Sequence, residues 1–234
     1  MTQITTQDQQ FHSEISENVR VLEKARKRIN SEINSYLRKD DMESVRLFTN
    51  IYALLYFSWT EAYLVKLVHT PNGFSQTEKE FVLNNRDIIV KWQKCIDTAF
   101  IKLTHHDSTI PNQSAKIHTL VEAYLNTQAK IRNKIAHGQW ANPLFSSNLR
   151  LDPDMKILMG LVDVIQIDLW FEVIKELALI VNGVIDARIH NNFLAHYNRY
   201  LNRLASIQNL VITRSKWTLE DKQNRLKLKA FKTN

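Results

Sequence analysis

Turn-forming residues are so scarce in this chain that they decide its fold class: four glycines and four prolines serve 234 residues. Ordinary soluble proteins carry about 12% Gly plus Pro. A β-sandwich or barrel needs a Gly, Pro or Asn turn roughly every ten residues, and this chain cannot supply them. The gaps are filled by long stretches with apolar residues at three- and four-residue spacing, the pattern of amphipathic helices. The expectation is all-α, an up-and-down bundle of long helices. With 44% hydrophobic residues in 27.5 kDa, the chain can bury a core without cross-links. Cys95 is the single cysteine, which excludes an intramolecular disulfide and a cysteine-based zinc site. Apolar runs stay short of a membrane span and residues 1–10 are polar rather than signal-like, so a cytoplasmic protein with no membrane partner is expected.

The few breakers divide the chain. Residues 11–39 read as one helix, with Ile15, Val19, Leu22, Ile29, Ile33 and Leu37 in a near-heptad pattern. Asp40-Asp41 interrupts it and can cap a second helix over 42–69, apolar almost all round and therefore central. Thr70-Pro71-Asn72-Gly73 is a stop, followed by a short helix to Asn84 and another over 86–105. Residues 106–113 read as loop, 114–138 as a helix closed by Gly138, and 139–155 as a long loop with a short extended piece. Residues 161–212 read as one helix or as two joined near Asn182-Gly183. A final amphipathic basic segment covers 216–231. The organisation expected is one domain over residues 1–212 with a basic appendage over 213–234.

Charge separates along the same line. Lys and Arg number 31 against 24 Asp and Glu, giving +7. Residues 1–198 are balanced, so the whole excess lies in the last 36 residues. Lys216, Arg225, Lys227 and Lys229 in that tail are candidate RNA contacts, because a local basic cluster attracts polyanions. The same cluster is equally readable as a solvated helix end.

Four glycines 65, 22 and 23 residues apart exclude the glycine-rich phosphate loops, so no nucleotide cofactor is expected. His105 and His106 beside Asp107 lack a third ligand at helical spacing, and His190 and His196 follow no metal pattern, so no metal is expected either. The informative stretch is Ile131-Arg132-Asn133-Lys134-Ile135-Ala136-His137-Gly138-Gln139-Trp140. Its Arg-x4-His form, with Asn directly after Arg and Gly after His, closes an amphipathic helix. It resembles the signature of the HEPN superfamily. The segment Trp59-Thr60-Glu61-Ala62-Tyr63-Leu64 is similar to the second helix of several HEPN families, where a polar or acidic residue faces the Arg/His pair. The resemblance implies a HEPN-like bundle, a homodimer whose paired motifs share a cleft, and metal-independent RNA cleavage by a bacterial toxin or anti-phage effector. An antitoxin or defence-system protein would be its partner. HEPN toxins controlled by a nucleotidyltransferase carry Tyr two positions after the His; here Gln139 stands there, which argues against that control.

Residue chemistry points the same way. Glu61 shares a stripe with Leu54, Phe57, Leu64 and Val68, and a carboxylate in an apolar stripe must be paired, protonated or functional. Arg132 is the obvious partner, either for catalysis or as a structural pair between core helices. At 100° per residue, Arg132 lies about 60° from the apolar stripe of its helix and His137 about 200° from it. One straight helix cannot aim both at one phosphate. Either the helix bends or ends just before His137, or a second copy of the chain completes the site. Asn133 and His137 are i, i+4 neighbours, so Asn133 can orient the imidazole. Arg132 would bind the scissile phosphate, and His137 would move a proton at the 2′-hydroxyl or the leaving 5′-oxygen. Trp140 and Lys134 are further candidate RNA contacts, Trp140 by stacking on a base or else by packing back onto the bundle. The competing reading is a catalytically inactive helical module that binds RNA or protein.

Overall fold

Helix starts are set by acidic and hydroxyl side chains, and the computed structural model shows them over residues 6–101, 103, 109–190 and 193–231. Among these residues there are nine helices, and the β structure is one isolated antiparallel bridge, Leu144 to Leu151. Helix α1 (Thr6–Arg38) turns at Asp40, whose φ is 58°, into α2 (Met42–Val68), where Asp41 accepts from the Ser44 backbone N–H at 3.0 Å. Ser75 and Glu78 form a reciprocal capping box at α3 (Gln76–Leu83), and Asp87 caps α4 (Ile88–Phe100). Then follow α5 (Thr109–Ala136), α6 (Pro153–Leu161), α7 (Val164–His190), α8 (Phe193–Arg214) and α9 (Leu219–Phe231).

Successive long helices pack as neighbours: α1 on α2, α4 on α5, α7 on α8. The core lies between α2 and α7, both buried on most faces. Tyr52, Tyr56 and Trp59 of α2 surround Phe171 of α7, with ring centroids 5.2, 5.2 and 5.4 Å away. No helix among the described residues is long and apolar enough to cross a membrane.

Several boundaries differ from the sequence reading: α1 starts five residues earlier, α4 ends at Phe100 rather than at 105, and the segment after 161 forms two helices, α7 and α8, that part after His190 rather than near Gly183. Residues 109–113 are helical, not loop, because Pro111 sits in the first turn of α5, where its missing N–H breaks no helical bond. Residues 106–108 lie outside the described residues. The long loop ends at Asp152, which caps α6 by accepting from the Met155 N–H at 3.0 Å with Pro153 at the first helical position. Gly183 does not break the segment after 161. Val181, Val184 and Ile185 are buried around it, and their packing outweighs the roughly 1 kcal/mol cost of a helical glycine.

The C-terminal segment lies on the bundle. Gln223 Nε2 donates to the Leu37 carbonyl at 3.0 Å and to Asp40 at 2.7 Å, and Lys227 pairs with Asp40 at 2.6 Å. The guanidinium carbons of Arg214 and Arg225 lie over Trp217, 4.2 and 5.1 Å from its ring centroid.

A second tie joins α3 to α7. Arg188 Nη2 donates to both Glu78 oxygens at 2.8 and 2.9 Å, and its Nη1 donates to the Thr98 carbonyl at 3.1 Å. Burial pushes the Glu78 carboxyl up, but the Ser75 N–H and Arg188 outweigh it and hold it at about 2. The folded chain therefore takes up this proton less readily than the unfolded one. The stability involved is complete above the ordinary glutamate range and is lost as pH falls toward 2. Glu78→Gln is expected to lower the melting temperature at about pH 7 and to leave it unchanged near pH 2, read by thermal denaturation at both. An equal loss at both pH values would contradict the pairing.

Candidate functional site

The Arg-x4-His motif spans the end of helix α5, with His137 directly after its last residue, Ala136. Ile117, Val121, Leu125, Ile131 and Ile135 anchor one face in the core, which leaves Arg132 half-buried and Asn133 and His137 exposed. Arg132 Nη2 donates to Glu61 Oε1 at 3.2 Å, joining α5 to α2, and the guanidinium lies 5.3 Å from the Phe57 ring centroid. The structure thus brings Arg132 and Glu61 together. It also corrects the setting: Glu61 belongs to the outward seam of α2 beside exposed Ser58, and its side chain is 50% exposed. Water screens such a pair, so it stabilises by about 1 kcal/mol at most, and no penalty for a buried carboxylate arises.

The helix ends in a Schellman turn. The Gly138 N–H bonds the Ile135 carbonyl at 3.1 Å, the Gln139 N–H bonds the Lys134 carbonyl at 2.9 Å, and Gly138 has φ +75°. A Cβ on Gly138 would meet nothing within 4 Å, so only the left-handed backbone resists substitution. Gly138→Ala is expected to cost about 1 kcal/mol in thermal unfolding; no loss would place the cap elsewhere.

This turn does not re-aim His137. Its N–H still bonds the Asn133 carbonyl at 3.1 Å, which keeps its Cα on the helical path. Among the described residues no hydrogen bond or ion pair joins Arg132 to His137, and none joins the Asn133 side chain to the imidazole.

The remaining motif residues hold the following loop. Trp140 is half-buried against the core and its Nε1–H donates to the Ile135 carbonyl at 2.8 Å. Lys134 Nζ donates to the Leu144 carbonyl, while Gln139 Oε1 accepts from the Leu144 N–H at 2.8 Å. The chain then turns at residues 145–148 and returns through the Leu144–Leu151 bridge into α6, which packs on α5. This returning segment exposes large apolar side chains among charged ones: Leu149, Leu151, Ile157, Leu158 and Leu161 are all exposed, Leu149 to 88%, beside exposed Arg150, Asp154 and Lys156.

Other sequence candidates lie apart from this turn. Lys216 is exposed between α8 and α9, Arg225 faces Trp217, and Lys227 is taken by Asp40. The Lys229 and His196 side chains and residues 105–107 lie outside the described residues. His190 is exposed, 3.4 Å from Asp186. Among the described residues no group of three or more His, Cys, Asp or Glu is placed to hold a metal ion.

Sequence reasoning missed a polar cluster around Asp168. The carboxylate accepts from Tyr52 Oη at 2.5 Å and from Asn30 Nδ2 at 2.9 and 2.8 Å, with Arg26 Nη2 at 3.4 Å and Lys222 Nζ at 3.5 Å. Burial first, and then the Asp168 charge, pushes the Tyr52 phenol up, so it stays protonated and donates. The available signal was Arg26, Asn30 and Asn34 at four-residue spacing, a polar stripe along α1.

No family model, curated protein or solved structure matches this chain.

Proposed function

We propose that this chain is a metal-independent endoribonuclease of HEPN type that works as a homodimer, each site taking Arg132 from one copy and His137 from the other. The observation that carries this reading is the end of α5, where Arg132 is held against Glu61 and His137 stands exposed just past the last helical residue. The exposed apolar side chains of residues 149–161 support the second copy. They are large-residue surface left open beside the motif helix, and such patches mark association sites.

In the proposed reaction Arg132 binds a non-bridging phosphate oxygen and offsets the charge that grows as the phosphorus becomes five-coordinate. The 2′-oxygen loses its proton and attacks the adjacent phosphorus; the 5′-oxygen leaves and gains a proton. His137 supplies one of these two proton transfers, since an imidazole exchanges protons near neutral pH. Glu61 positions the guanidinium, and Asn133 lies within reach of RNA on the same exposed face. Products are a 2′,3′-cyclic phosphate and a 5′-hydroxyl, and DNA, lacking the 2′-hydroxyl, survives. A bacterial toxin or antiviral effector, restrained by a partner protein, is the setting that fits.

The test is RNA incubated with pure protein in EDTA, with the product ends identified. Cyclic phosphate ends support the reading; intact RNA defeats it. The second reading, an inactive module, draws on the same apolar segment, which would then face a different protein. It predicts a chain that neither self-associates nor cuts.

A further inference from the structure

Helix α1 begins well before its buried stripe does. Among residues 8–14 only His12 is half-buried, and Ile15 is the first buried residue after them. These turns meet the bundle through a pair of rings. The Phe11 ring lies edge-to-face with the His69 ring at 4.9 Å between centroids, and His69 is the residue that closes α2. Phe11 keeps 48% of its surface in water, so the contact is local and easily undone.

The surroundings of this contact are cationic. His12 follows Phe11 in the chain, Lys66 of α2 acts on His12, and Lys79 of α3 acts on His69. Burial, and then Lys66, holds the His12 imidazole below its ordinary range. Burial also leads at His69, followed by Lys79 and His12; Asp8 of α1 pulls the other way and is outweighed, so this imidazole too lies low. The carbonyl end of α2 favours a charged His69 without reversing that direction. Glu80 lines a cleft with His69 and Lys79, but it already accepts from Gln76 at 2.8 Å. Protonating both imidazoles sets His12, Lys66, His69 and Lys79 as cations against Asp8 and the engaged Glu80.

We propose that the Phe11–His69 contact is an acid-released latch: when His12 and His69 take up protons, the turns of α1 before Ile15 leave the end of α2. A neutral imidazole can pack on a ring while half out of water, whereas a charged one must recover its hydration. Released imidazoles take up protons more readily than docked ones. Docking is therefore complete above the ordinary imidazole value of about 6.5 and weakens as pH falls through it. Each unit by which docking lowers an imidazole makes release about tenfold easier in acid. The latch does not depend on the ribonuclease reading.

Hydrogen exchange of the full chain at about pH 7.5 and about pH 5 reads the release. After correction for the intrinsic pH dependence, the amides of residues 10–14 are expected to exchange about tenfold faster at the lower pH, while those of the core helix α7 keep their rate. His12→Gln with His69→Phe keeps a ring against Phe11 that cannot charge, and should hold residues 10–14 at the slow rate at both pH values. Phe11→Ala removes the contact itself and should leave them at the fast rate at both. The proposal is overturned if the unaltered chain shows equal corrected rates for residues 10–14 at the two pH values, if α7 accelerates with them, or if either variant keeps the pH dependence.

Discussion

Arg132→Ala and His137→Ala are each expected to reduce RNA cleavage by about 10³-fold while the fold survives. The magnitude follows from the roles. Losing one preorganised donor to a developing anion costs about 10²–10³-fold, and losing a proton-transfer group costs about 10²–10⁴-fold. The fold survives because neither side chain holds the core. His137 is exposed beyond the end of α5, and Arg132 makes a solvent-screened pair with Glu61. Removing either should change stability by no more than about 1 kcal/mol. Initial cleavage rates beside melting curves check both halves. An Arg132→Ala protein that melts normally and cuts normally would remove Arg132 from the site.

The second large effect belongs to the apolar segment. Ile157→Asp combined with Leu161→Asp is expected to give a monomer at micromolar concentration in light scattering and to abolish cleavage, although both residues stand outside the motif. In a two-fold dimer the same patch meets itself, so each new carboxylate faces like charge as well as lost apolar contact. Both side chains are 63% exposed in the single chain, so the protomer should melt as before. A variant that remains dimeric would move the interface away from α6. A monomer that still cuts at the normal rate would refute the two-copy site.

Much of the fold was legible from punctuation. With so few glycines and prolines, the breaks at Asp40-Asp41, at Thr70–Gly73 and at Gly138 stand out, and all three end helices. The reading failed where a breaker residue is harmless in context. Pro111 lies in a first turn, Pro153 begins α6, and Gly183 sits in a helix whose neighbouring residues Val181, Val184 and Ile185 are buried. Local sequence does not reveal such context, because it depends on position within the element and on tertiary packing of the residues around it.

The Arg132–Glu61 contact was legible because both residues interrupt apolar patterns on long helices. Glu61's exposure was not, since offsets along one helix cannot say which seam its neighbours leave open. The Asp168 cluster was hidden for a different reason. Arg26 and Asn30, Tyr52, Asp168 and Lys222 come from four helices, and only tertiary packing puts them within reach of one another. The basic tail shows the converse error. Its charge was countable, but Lys222 and Lys227 reach Asp168 and Asp40, so charge count overstated what remains for RNA.

Mixing the two inactive variants tests the composite ribonuclease site most directly. Arg132→Ala and His137→Ala proteins, combined and allowed to exchange subunits, are assayed on RNA in EDTA beside each variant alone and the unaltered chain. With random exchange half the dimers are mixed, and each mixed dimer holds one site with an intact Arg132 and an intact His137, so about a quarter of the original activity should return. The products should carry 2′,3′-cyclic phosphate ends. A mixture as inactive as its components, while the unaltered chain cuts, would contradict the shared site; an unaltered chain that leaves RNA intact would contradict the ribonuclease itself.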